Sequence, residues 1–352
     1  MTTLAEFSID SHQLLDEHGQ PTQETWPAFA NDVEQLRHLY RLMMLNRLVD
    51  KKAVALQRTG KMGTYPSSFG QEAIATGIAF AMQEEDVFVP FYRDYAAMLH
   101  RGMRIEEIYS YWGGDERGSC FVNNPRDFPF SVPIASQLLH ATGVATAFKL
   151  RQQPHVVVAT CGDGGTSEGD FYEALNVAGT WQLPIVFVVN NNQWAISVPL
   201  SKQTQCQTLA QKAIAAGFSG VQVDGCDVIA MQMITEQAVT RARSGQGPTL
   251  IEAVCYRLCD HTTADDATRY QPSIEVEAAM AKEPIRRLRT YLTQQGAWDD
   301  QQEQALSQDI EQQITQAVDN YTHQARQPLT AMFDYLYAEL PHSLIAQREQ
   351  VA

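Results

Sequence analysis

No Cys-x-x-Cys pair occurs in this chain, although it holds six cysteines. Cys120, Cys161, Cys206, Cys226, Cys255 and Cys259 are scattered at spacings no zinc ribbon uses, so neither a zinc site nor a disulfide framework organises the fold. They read as reduced thiols serving as small apolar residues. No long hydrophobic run is present. The strongest, Leu183 to Val189, falls far short of the roughly 20 residues that a membrane-spanning helix needs. Positive charge is scarce: 26 Lys and Arg against 41 Asp and Glu leave a formal charge of −15. A nucleic-acid backbone or an anionic bilayer is therefore a poor partner. The opening MTTLAEFSID lacks the basic-then-apolar order of a secretory signal, and a soluble, cytoplasmic protein is expected. Gly-x-Gly-x-x-Gly does not follow a first strand, and no lysine closes a glycine-rich loop. Dinucleotide and P-loop fingerprints are thus missing. There is no internal repeat and no low-complexity segment.

What is present is an alternation of strands and helices. Residues 1–30 read as an extended arm. A long amphipathic helix follows, capped by Asn31 or Asp32 and ending near Gly60. A second helix, rich in Ala and Gly, is expected over 67–86 and should pack closely against a neighbour. A short strand covers 87–94, a helix 103–112, and a long loop 113–132, of a length that is usually functional. Then come a small-residue helix (134–151), a strand (155–160), a helix (168–180), a strand (184–190), a helix (208–216), a strand (219–225), a helix (227–243) and a strand (248–258). Helices over 274–294 and 299–326 follow, then a terminal helix broken at Pro341. This order predicts an α/β fold, a parallel sheet with helices on both faces and extra N- and C-terminal helices. The expected division is an arm (1–30), one α/β domain with peripheral helices (31–330), and a C-terminal helix and tail (331–352).

The chemistry concentrates in CGDGGTSEGDFYEALNVAGTWQLPIVFVVNNNQWAIS, Cys161 to Ser197. In open parallel sheets, ligands bind beyond the carboxyl ends of the strands. Gly164 and Gly165 stand at such an end, where glycine lets backbone amides approach a phosphate and the helix start adds positive potential. Asp163 adds a hard anionic oxygen. The next strand ends in three asparagines, where Asn192 offers a neutral oxygen and Trp194 a backbone carbonyl. Magnesium takes about six oxygens in an octahedron. Asp163, Asn192, the Trp194 carbonyl, two diphosphate oxygens and a water make six. A Gly-Asp-Gly turn or an asparagine cluster alone is an ordinary turn; the two joined across one strand-helix-strand unit point to a magnesium diphosphate.

Gly-Asp-Gly followed after about 30 residues by Asn-Asn resembles the thiamine diphosphate motif. The surrounding GGTSEGDFYEALN is similar to the alpha subunit of the heterotetrameric 2-oxo acid dehydrogenases, the pyruvate and branched-chain enzymes. The likeness extends to RTGKMGTYPSSFGQEA, FYRDY (91–95), YRLCDHTTADDATRY (256–270) and FDYLYAELP (333–341). It implies the thiamine diphosphate-binding fold, here its diphosphate-binding module. It also implies that Tyr92 and Arg93 hold the cofactor, the arginine on the diphosphate. Ile134 would wedge the cofactor into its bent shape, and Val132 would touch it through its backbone. Asn190 stands where branched-chain relatives carry an arginine near the diphosphate. His261 would contact the diphosphate end and serve acyl transfer to a lipoyl arm, with Arg257, Asp265 and Asp266 ordering its loop by ion pairing. A potassium site would fall at the Pro133 carbonyl, Ser136 and Gln137, with Val132 replacing a serine of that segment. Thr262 occupies the place of a serine that animal relatives phosphorylate.

The resemblance further implies that the glutamate activating the cofactor lies on a separate beta subunit, in an alpha2-beta2 assembly serving a lipoyl acyltransferase. The expected activity is oxidative decarboxylation of a small 2-oxo acid with reductive acylation of lipoamide. FYRDY and GGTSEGDFYEALN favour pyruvate; HTTADD and VNNNQWAIS look branched-chain; acetoin dehydrogenases share the architecture. A non-catalytic, partner-binding paralogue is the reading from another class.

Overall fold

The computed structural model describes residues 2–334 and 336–352. Tyr335, within the FDYLYAELP stretch, and Met1, in the arm, lie outside the described residues. Six strands form one sheet in which every pairing is parallel. They are β1 (Ser11–His12), β2 (Val87–Val89), β3 (Val157–Gly162), β4 (Ile185–Asn191), β7 (Ser219–Asp224) and β8 (Thr249–Val254), in the spatial order β1-β7-β8-β4-β3-β2. A separate antiparallel hairpin pairs β5 (Trp194–Ala195) with β6 (Val198–Pro199).

Both faces of the sheet are covered, and β4 shows why. Its side chains alternate, as the pleat requires. Val186 and Val188 enter one apolar cluster with helices α1 (Val33–Arg58), α2 (Glu72–Ala81) and α5 (Val228–Arg243). Ile185, Phe187 and Val189 enter the other, with α3 (Ser136–Leu150) and α4 (Gly169–Thr180). A strand buried on both sides reads as a continuous hydrophobic run, which is what LPIVFVV is. The close approach expected of α2 is real. A Cβ on Gly77 would sit 2.6 Å from Cβ of Met231 in α5.

The arm contributes to the sheet through β1. The amides of Leu14 and Leu15 donate to Asp227 Oδ2 at 2.6 and 2.7 Å. Asp227 Oδ1 meanwhile caps α5 at Ile229 and Ala230. Asp32 caps α1, as its position suggested.

Several expected elements are shorter or divided. Residues 67–71 are not helical: Ser67 and Ser68 bond Asp50, and Gly70 adopts φ +90°. Strand 87–94 stops at Val89, and an unforeseen helix occupies Tyr95–His100. Only Lys212–Ala215 is α-helical within 208–216. Strand 248–258 stops at Val254. The span 274–294 splits into Ser273–Met280 and Pro284–Gln294, because proline drives the preceding Glu283 to ψ 146°. The last long helix is Asp300–Thr322, and the terminal helix expected to break at Pro341 is helical, among the described residues, at Ala331–Asp334 and His342–Glu349. No helix among the described residues is long and apolar enough to cross a membrane.

Candidate functional site

Gly162, the last residue of β3, pairs in register with Asn190 of β4. Asp163 and Asn192 therefore leave the sheet at the same edge, on neighbouring strands. They line one cavity of about 250 Å³ together with Tyr92, Arg93, Ile134, Gly164, Gly165, Trp194 and His261. Larger clefts exist elsewhere, but here four strand ends converge: Tyr92 and Arg93 follow β2, Asp163 β3, Asn192 β4, and His261 β8.

Asp163 is 1% exposed and forms no ion pair among the described residues. Its Oδ2 accepts a hydrogen bond from Gln203 Nε2 at 2.7 Å. Burial pushes its pKa up, against the pull of that bond and of Arg257 and Arg93. A buried carboxylate without a counter-charge is unfavourable until a cation arrives. The neighbouring donors suit a hard one. The Asn192 amide is oriented at both ends, Nδ2 donating to Gln71 Oε1 at 3.1 Å and Oδ1 accepting from the Trp194 amide at 3.2 Å. Its oxygen keeps a second lone pair, and the Trp194 carbonyl has only a 3.5 Å contact from Arg257 Nη1. No cluster of three or more His, Cys, Asp or Glu suited to a metal occurs among the described residues. One carboxylate, one amide and one carbonyl, completed by ligand oxygens, is a donor set for magnesium.

The glycines serve close approach. Asp163–Ser167 forms a single 3-10 turn before α4. A Cβ on Gly164 would lie 2.8 Å from Cβ of Ala195 in the hairpin. One on Gly165 would meet Cys161 Cβ at 3.3 Å and Ile134 Cγ2 at 3.6 Å. Behind the turn, the Lys212 ammonium donates to the Thr166 carbonyl at 2.7 Å and its hydroxyl at 2.9 Å, and Thr166 Oγ1 donates to the Asp163 carbonyl. The turn is thus braced from the protein side and open on the cavity side.

Arg93 is buried, donating through Nη1 to the Ser67 carbonyl at 2.5 Å and through Nη2 to the His261 carbonyl at 2.7 Å. Nη2 also lies 3.1 Å from His261 Nδ1. A guanidinium can only donate, so Nδ1 accepts and the imidazole proton sits on Nε2. Burial first, then the charges of Arg93 and Arg257, lower the His261 pKa to about 4. The ring is neutral at physiological pH. Tyr92 lies edge-on to it, ring centroids 6.3 Å apart.

Other sequence-derived residues are placed differently. Asn190 does not line the cavity; its Oδ1 accepts from the Cys255 thiol at 3.2 Å within the core. Val132, half-exposed, is also outside the lining, whereas Ile134 forms part of the wall. The Pro133 carbonyl accepts from Ser136 Oγ at 2.9 Å and Ser131 Oγ at 3.2 Å. Gln137 Nε2 instead donates to the Thr160 carbonyl at 2.7 Å, and its Oε1 is buried without a partner. Arg257 does not order the loop by an ion pair. Its Nη2 bonds the Tyr270 hydroxyl at 2.5 Å, and that hydroxyl bonds Asp265 Oδ2. Asp265 also accepts from the His261 amide at 2.8 Å, and Asp266 caps the turn at Ala267–Arg269. Thr262 Oγ1 accepts from the Ala264 amide at 3.3 Å. Sequence reasoning missed Gln203, Asp50 and Lys212, whose partners lie 40, 15–18 and 46 residues away with no local pattern linking them.

The chain is similar to known proteins over most of its length. Residues 40–329 match the family model for the dehydrogenase E1 component. The 3-methyl-2-oxobutanoate dehydrogenase subunit alpha of Mycobacterium tuberculosis is 41% identical over 99% of this chain and 95% of its own. The pyruvate dehydrogenase E1 component subunit alpha of Acholeplasma laidlawii is 40% identical over 90% of this chain and 92% of its own. The Staphylococcus aureus protein of the same name is 37% identical over 96% and 91%. With the strand ends, the acidic glycine turn and the histidine loop all in place, the chain belongs to the dehydrogenase E1 component family.

Proposed function

We propose that this chain is the alpha subunit of a 2-oxo acid dehydrogenase, an oxidoreductase that uses thiamine diphosphate and magnesium. The observation that carries the reading is Asp163: a buried carboxylate with no ion-pair partner among the described residues, lining one cavity with Asn192, Gly164 and Gly165. Asp163, Asn192 and the Trp194 carbonyl would hold the magnesium. Gly164, Gly165 and Arg93 would take the diphosphate, Tyr92 and Ile134 would bound its organic part, and the Pro133 and Ser136 oxygens would suit a potassium ion. Bound there, thiamine diphosphate supplies the electron sink for loss of carbon dioxide from a 2-oxo acid. His261, neutral and with its proton on Nε2, offers a hydrogen-bond donor into the cavity and no cation. Arg93 holds that ring at Nδ1, and Asp265 holds the His261 backbone amide.

A beta subunit supplying the activating glutamate and a lipoyl acyltransferase accepting the acyl group complete the assembly. Pyruvate is the substrate favoured by FYRDY and GGTSEGDFYEALN. A second reading, 3-methyl-2-oxobutanoate, is favoured by the relative matched over 99% of this chain. Co-expression with a beta subunit of this family, followed by decarboxylation with an artificial electron acceptor, tests both. Pyruvate, 3-methyl-2-oxobutanoate and acetoin are compared at equal concentration. Activity that needs thiamine diphosphate and magnesium is expected, and none with any of the three would overturn the proposal.

A further inference from the structure

Gln203 lies on the helical turn Leu200–Gln203, outside the cavity lining, yet it touches the innermost acid of the site. Its Nε2 donates to Asp163 Oδ2 at 2.7 Å and to the Val198 carbonyl at 3.1 Å. Val198 pairs with Ala195, and Trp194 with Pro199, in the hairpin that carries the Trp194 carbonyl. The hairpin turns through left-handed backbone at Gln193 (φ 72°) and Ile196 (φ 54°), conformations that tertiary contacts must hold. The Leu200 amide closes it onto the Gln193 carbonyl at 2.9 Å. One side-chain amide therefore joins the end of β3 to the segment after β4.

We infer that Gln203 is a positioning residue of the metal site. It spends its two amide protons on Asp163 and the hairpin, so that the Asp163 carboxylate and the Trp194 carbonyl face one cation together. The inference rests on the magnesium–diphosphate reading above. Assigning Oδ2 to the protein leaves Oδ1 for the cation. Groups that hydrogen-bond a ligating carboxylate set metal affinity by about 10–100-fold when removed.

The test uses the chain co-expressed with its beta subunit. Thiamine diphosphate binding is followed by calorimetry at a series of magnesium concentrations for wild type, Gln203→Met and Gln203→Asn. The asparagine keeps the amide but is one methylene too short to span both acceptors. The expected result is a half-saturating magnesium concentration raised about tenfold or more in both variants. Turnover should return to within about twofold of wild type at saturating magnesium, a rescue that general misfolding of the chain would not show. Unchanged magnesium dependence in either folded variant overturns the inference while leaving the proposed function intact. Wild type that binds thiamine diphosphate without magnesium overturns both.

Discussion

Arg93 grips His261 at two atoms, 2.7 Å from its carbonyl oxygen and 3.1 Å from ring Nδ1. A third contact, to the Ser67 carbonyl, anchors the other end of the guanidinium. Lysine offers a point charge where arginine offers a fork, and one ammonium cannot serve all three acceptors. Arg93→Lys is expected to lower kcat/KM about 10–100-fold, the equivalent of about 1.5–3 kcal/mol for a lost charge-assisted bond. Steady-state kinetics at saturating thiamine diphosphate checks it. In the wild type, a carbon-13 label in the His261 ring should show no titration between pH 5.5 and 8, because its pKa is depressed to about 4.

Behind Arg93 stands Asp50, buried in α1. Its carboxylate accepts from Ser67 Oγ at 2.5 Å, the Ser68 amide at 2.8 Å and Tyr65 Oη at 3.1 Å. This binds down the turn whose Ser67 carbonyl receives Arg93. Asp50→Asn sets an NH2 group against those donors and is expected to cost about 2–3 kcal/mol. Ser67→Ala keeps the carbonyl and should cost only about 1 kcal/mol. Chemical unfolding ranks the two. An Asp50→Asn protein as stable as Ser67→Ala would contradict the account.

Asp94 governs part of the pH dependence of stability. It is buried, accepts from the Phe91 amide at 3.1 Å and from Thr160 Oγ1, and burial raises its pKa from 3.8 to about 7. Between pH 4 and 7 the folded chain therefore holds a proton at this site that the unfolded chain has released. A raised folded pKa means that the contribution is complete below the unfolded pKa and is lost as pH rises toward 7. The slope approaches about −1.4 kcal/mol per pH unit within that window. Asp94→Asn removes this term, so its urea midpoint should fall less than that of the wild type between pH 4.5 and 7.

Gly164 tests the phosphate turn. A methyl group there would overlap Ala195, with Cβ atoms 2.8 Å apart, so the turn and the hairpin must separate. Overpacking of this kind costs about 1–3 kcal/mol. Gly164→Ala should weaken thiamine diphosphate binding by calorimetry, whereas Gly169→Ala, with nothing within 4 Å of the added atom, should leave it unchanged.

Much of the candidate site is legible because its residues lie at ends of elements that sequence patterns mark well. Asp163 and Asn192 each follow one of the two strands of a strand-helix-strand unit whose apolar runs and small residues set its limits. Tyr92, Arg93 and His261 enter the candidate site only through family resemblance, since a lone arginine or histidine carries no local signature. Boundaries failed where side chains overrode pattern. The 67–86 segment looked helical throughout, but Asp50 and Gly70 hold its first residues in a turn. Arg257 was expected to ion-pair with Asp265, yet the Tyr270 hydroxyl stands between them.

Local order determined a parallel α/β sheet, the acidic glycine turn and the asparagine cluster, because periodicity and turn chemistry act over a few residues. Only the tertiary structure decided which atoms meet: that Gln203 holds Asp163, that Asn190 turns to Cys255 rather than the cavity, and that Arg93 locks the His261 tautomer. Those contacts join residues 40, 65 and 168 positions apart, where strand register and helix packing, not sequence spacing, bring polar groups together.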